Sequence, residues 1–151
     1  MNDSVRKGII LVKINLKKPM TINKKVQLIV IKRRDGKVFL NKFFEIHGLG
    51  KNIKVEVDSL PKELSLNPNF QGEPYEVYDI VVKAEGFATI IVKGVQVLEN
   101  VVSVQNINMV PLKPGMPIDQ KIVIEIPKHN LVVDEKRSRF KDLVDKIRKI
   151  L

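Results

Sequence analysis

The sequence predicts a mainly β protein: an antiparallel Greek-key β-sandwich of about seven strands, followed by one C-terminal amphipathic α-helix. Three observations lead there. Apolar and polar residues alternate with a period of two from residue 8 to residue 110. Turn-forming residues interrupt that alternation every 8–12 residues or so, as in sandwiches. No helical periodicity occurs before residue 134.

In the first strand Ile10, Val12, Ile14 and Leu16 point one way and Lys13, Asn15 and Lys17 the other. A second strand follows, with Val26, Leu28 and Val30 alternating with Gln27, Ile29 and Ile31. Arg34-Asp35-Gly36-Lys37 supplies a tight turn, because Asp-Gly reaches positive φ at little cost, and Val38 to Phe44 is the return arm. Ile53, Val55 and Val57 alternate with Lys54, Glu56 and Asp58 in a short strand. Residues 59–74 hold three prolines and a glycine and predict a long loop, since each proline removes a ladder donor.

Strands resume at Tyr75 to Ala84, Thr89 to Lys93 and Val101 to Val110. The last mixes its faces, Val102 and Val104 against Ile107 and Met109, which predicts a bulge. Leu112 to Pro117 is a connector, and Ile122, Ile124 and Ile126 mark one more strand. Asp134 caps a final segment in which Phe140, Leu143, Val144, Ile147 and Ile150 fall at helical spacing. The expected organisation is a sandwich domain over residues 1–113, then a connector, extra strand and helix over 114–151.

In the stretch YEVYDIVVKAEGFATIIVKG, residues 75–94, Tyr78, Ile80, Val82 and Ala84 share one face. Gly86 gives freedom for a corner and Phe87 folds back over the core, so Tyr78, Gly86 and Phe87 read as a structural joint. This spacing of tyrosine, alternating aliphatics, alanine, glycine and aromatic resembles the transthyretin-like (carboxypeptidase regulatory-like) β-sandwiches. In that family the motif is a hairpin between core strands, not an active site. Leu66-Asn67-Pro68-Asn69, Pro74-Tyr75, Gly94 to Val97 and the Asn106-to-Pro111 ending resemble the N-terminal region of clostridial spore cortex-lytic enzymes. The resemblance implies a spore- or envelope-associated module, with a glycan-binding accessory role as one option, and no lytic activity.

Composition excludes several chemistries. With no cysteine there is no disulfide framework, zinc ribbon or thiol catalysis. His47 and His129 lie too far apart in sequence for a local metal motif. Gly48-Leu49-Gly50-Lys51 resembles the end of a phosphate-binding loop, but Glu45 and Asn52 stand where that loop needs Gly and Ser or Thr, so a flexible turn is expected. Glu73, Glu76 and Asp79 lie close together and read as solvated loop acids, and no Gly-x-Ser-x-Gly elbow occurs. A non-enzyme with no cofactor and no metal is expected.

Twenty-seven Lys and Arg against 17 acids give a net charge of +10, which attracts polyanions or simply solvates the surface. Lys32, Arg33, Arg34 and Lys37 form a candidate polyanion patch at a hairpin tip, or lysines that keep an edge hairpin soluble. The stripe Phe140, Leu143, Val144, Ile147 and Ile150 is a candidate docking helix for self or a protein partner. The N-terminus lacks the apolar core of a secretory leader, and no apolar run approaches the ~20 residues of a membrane-spanning helix, so a cytoplasmic or spore-associated protein without a transmembrane segment is expected. The function these readings favour is protein–protein assembly, with polyanion binding as the alternative.

Overall fold

A computed structural model describes residues 6–60 and 75–127. Six strands occur there: β1 (Arg6–Lys32), β2 (Val38–Ser59), β3 (Glu76–Ala84), β4 (Thr89–Val97), β5 (Val102–Asn108) and β6 (Lys121–Glu125). They form one sheet in the order β2-β1-β3-β4-β6, with β5 added to the first half of β1. The sheet curls over a single apolar core as a half-barrel.

The expected antiparallel Greek-key sandwich is therefore corrected. Two pairings are parallel: β5 runs with β1, Ile9 beside Val102, and β6 runs with β4, Thr89 beside Lys121. Alternation reports which side chains face inward. It does not report which strand lies alongside or in which direction. No helix occurs among the described residues, and the expected C-terminal helix lies outside them.

The expected first two strands are halves of β1, and Val38–Phe44 and Ile53–Val57 are halves of β2. The two form one long hairpin that bends in the middle without breaking. The ladder slips between Asn15 and Met20 and again between Met20 and Lys24. Pro19, with no N–H to give, falls in that slip. On the facing strand Gly48 adopts φ +66°, and a Cβ on Gly50 would strike the Ile14 carbonyl oxygen. Gly48 to Lys51 is thus the inside of a bend within β2, not a flexible turn.

The bend places both halves of β1 against one core. Ile10, Val12 and Ile14 from its first half, and Val26, Leu28 and Val30 from its second, are essentially inaccessible to water. Ile46 and Val57 of β2, Ile80 and Val82 of β3, Ile90 and Val92 of β4, Ile107 of β5 and Met109 line the same interior. Burial of each large aliphatic side chain contributes roughly 1.5–3 kcal/mol.

β5 has no bulge; its register with β1 is unbroken from Val102 to Asn108. Ile107 faces the core while Val102 and Val104 stand on the outer face, 49% and 46% exposed. The mixed faces in the sequence are therefore an apolar outer surface on a regular strand.

Candidate interaction surface

The predicted joint is built around Tyr78. Its ring is wholly buried, and its hydroxyl donates to the Asp58 carbonyl at 2.7 Å, linking β3 to the far end of β2. Phe39 packs edge-on against it, ring centroids 5.5 Å apart. Burial, reinforced by Asp58 and Glu76 nearby, pushes the Tyr78 phenol far above its ordinary value near 10.

Gly86 sits at φ +83° in the turn after β3, and its carbonyl accepts from Leu112 N–H at 2.9 Å. Phe87 is buried, with the Lys24 ammonium 5.8 Å from its ring centre. No atom lies within 4 Å of a Cβ built on Gly86, so the constraint is on the backbone, not on space. Gly86→Val is expected to cost more than ~1 kcal/mol, and Gly86→Asn clearly less, because β-branched residues resist positive φ and asparagine tolerates it. Thermal melts of the two variants beside wild type make the test; equal melting would remove the backbone argument.

The four cations of the predicted polyanion patch all lie at the β1–β2 tip, and each has a partner. Lys32 lies 3.7 Å from Asp58 and 3.9 Å from Glu76. Arg34 holds the buried Glu76 at 2.9 Å, and Arg33 holds Asp79 at 2.7 Å. Lys37 lies over the Phe39 ring at 4.8 Å. Folding thus brings carboxylates from β2 and β3 to a tip whose local sequence holds four cations and one acid, Asp35. Asp79 also accepts from Gly94 N–H at 3.1 Å, where Lys93 and Gly94 together oppose it in a bulge of β4. Glu76 and Asp79 are therefore not solvated loop acids: each is a strand residue held by an arginine. Glu73, His129 and the candidate docking residues Phe140, Leu143, Val144, Ile147 and Ile150 lie outside the described residues.

The edge of β5 away from β1, unpaired among the described residues, carries a different chemistry. Among the described residues β5 pairs only with β1. Ile9 N–H donates to Val101 O and Met109 N–H to Asn15 O, so the odd-numbered residues of β5 face β1. Alternation then turns the backbone N–H and C=O of Val102, Val104, Asn106 and Asn108 toward the free edge. Val101, Val102 and Val104 are exposed beside the half-buried Ile9 and Leu11, and Asn15 donates its amide to Asn108 across the ladder at 3.1 Å. Sequence reasoning missed this edge. The available signal was the absence of any charged residue between Glu99 and Lys113, the longest uncharged run in a chain that is 29% charged.

No protein-family model matches this chain, and no curated protein matches it significantly. Nothing in these comparisons identifies the transthyretin-like or cortex-lytic relationship that the motif suggested. Among the described residues no helix is long and apolar enough to cross a membrane, and no cluster of His, Asp and Glu has the arrangement of a metal site.

Proposed function

We propose that this protein is a non-catalytic assembly module that takes an extended segment of an acidic partner protein along the free edge of β5. The carrying observation is the character of that edge. Exposed edge strands are ordinarily guarded by lysine, proline or a bulge. β5, Val-Ser-Val-Gln-Asn-Ile-Asn, has none of these and adds exposed valines on its outer face. An added strand would gain main-chain hydrogen bonds from the edge and apolar contact from the valines. The net charge of +10 disfavours a second copy of the chain and steers an acidic segment inward. The cations of the β1–β2 tip already face Asp58, Glu76, Asp79 or the Phe39 ring, which makes that tip the weaker candidate for a polyanion.

The test is an NMR titration of the full chain with a blocked peptide of alternating valine and glutamate. Saturable shifts are expected at Val102, Val104, Asn106 and Asn108, weakened at least ~10-fold by Val104→Lys or by a valine–lysine peptide (about 1.4 kcal/mol). Absence of shifts along β5 would defeat the proposal. A duplex DNA fragment that binds with steep salt dependence, and is released by changing Lys32, Arg33 and Arg34 to Glu, would favour the polyanion alternative.

A further inference from the structure

The outer face of the other half of the sheet carries a second apolar surface. Ile29 of β1 lies directly beside Val81 of β3, Val81 beside Ile91 of β4, and Ile91 beside Val123 of β6. Paired residues share a face, so these four side chains form one row across four strands. The rows on either side of it differ in charge. Toward one end of the strands lie Gln27, Lys83, Thr89 and Lys121, and toward the other Ile31, Asp79, Lys93 and Glu125. Apolar surfaces with such a polar rim mark interaction sites.

The two flanking rows complement each other. Lys121 and Glu125 stand four residues apart on one strand, about 13 Å, too far to pair within it. A two-fold axis laid along the central row exchanges their positions. It sets Lys121 of one copy over Glu125 of the other, and Lys83 over Asp79, while Val81, Ile91 and Val123 meet their own counterparts. Asp79 is already held by Arg33 at 2.7 Å, so β6 carries the sharper contrast. On β2, Phe43 lies beside Gln27 and Val38 beside Ile31, so the same axis brings Phe43, 57% exposed, over Val38, 53% exposed. The net charge of +10 repels a second copy at long range. This face offsets that repulsion with opposite charges, which uncharged β5 does not.

Five strands at ~4.8 Å and three rows at ~6.8 Å place the outermost residues about 19 Å by 14 Å apart. The sheet curls away at its margins, where the long Lys and Glu side chains span the gap. Interfaces this small dissociate readily.

We infer that two copies of this chain associate through this face, outer sheet against outer sheet, about a two-fold axis along the Ile29–Val81–Ile91–Val123 row. The inference stands apart from the β5 reading, which concerns the opposite half of the sheet and an acidic partner.

The test is sedimentation equilibrium of the full chain between ~10 μM and ~1 mM, the range in which a small interface is half-occupied. A reversible monomer–dimer equilibrium is expected; a monomer throughout would overturn the inference. Lys121→Glu and Glu125→Lys, each alone, set like charges against each other across the axis and are expected to weaken the dimer at least ~10-fold. The double variant exchanges the two charges, restores both contacts and is expected to dimerise like wild type. Undiminished association of the single variants, or a loss that the double variant does not rescue, would overturn the two-fold arrangement. Val123, 51% exposed, is the apolar probe: Val123→Glu is expected to abolish association while circular dichroism stays that of wild type. Dissociation by Val104→Lys but not by Val123→Glu would seat the second copy on β5 and overturn the inference.

Discussion

Gly50→Ala is expected to cost at least ~3 kcal/mol, a large share of the roughly 5–15 kcal/mol that stabilises an ordinary domain. The added methyl would overlap the carbonyl oxygen of Ile14, with the Ile14 carbonyl carbon at 3.2 Å and Asn15 Cα at 3.3 Å behind it. All three are backbone atoms of β1, so no side-chain rotation relieves the overlap; the two strands must separate at the bend. The same substitution at Gly36, which has positive φ but no atom within 4 Å of its Cβ, is expected to cost only about 1 kcal/mol. Urea denaturation followed by circular dichroism compares the two. Equal midpoints would mean that the strands do not approach at Gly50 as described.

Tyr78→Ala is expected to cost about 3–5 kcal/mol, from the emptied volume beside Phe39 and the loss of the hydroxyl that satisfies Asp58 O. Tyr78→Phe keeps the ring and is expected to cost about 1–2 kcal/mol. The pair also predicts a pH dependence. In the unfolded chain the phenol ionises near 10, while in the folded chain burial keeps it protonated well above that. Above pH 10 the native state therefore binds more protons than the unfolded state, and stability falls as pH rises. Wild type is expected to lose about 1.4 kcal/mol per pH unit more than Tyr78→Phe in that range. Parallel loss in the two proteins would place the phenol in contact with solvent.

The sequence disclosed the inward residues and left their neighbours open. Ile10, Val12, Ile14, Val26, Leu28, Val30, Tyr78, Ile80 and Val82 all read as one-sided from period-two alternation and all face the core. The Asp35-Gly36 turn was equally local, with Gly36 N–H donating to Lys32 O. The continuity of β1 through Pro19 was not legible, because a register slip can absorb a missing donor that would otherwise end a strand. The parallel pairing of β5 with β1 joins Ile9 to Val102, residues far apart in the chain, and leaves no local mark. The acidic partners of the β1–β2 tip were illegible for the same reason. Lys32, Arg33 and Arg34 are adjacent in sequence, whereas the carboxylates that meet them, Asp58, Glu76 and Asp79, arrive only once β2 and β3 are in place.

The bent hairpin has a consequence for how the molecule opens. β1 and β2 supply strands to both halves of the sheet, and Val12 and Val30 are buried in one core although they belong to different halves. Separation of β2 from β1 would uncover both halves of that core at once, while β1 keeps its ladders with β3 and β5. The hairpin closes across a five-residue loop, 33–37, yet its far end pairs Arg6 with Ser59, so even this two-strand unit joins distant parts of the chain.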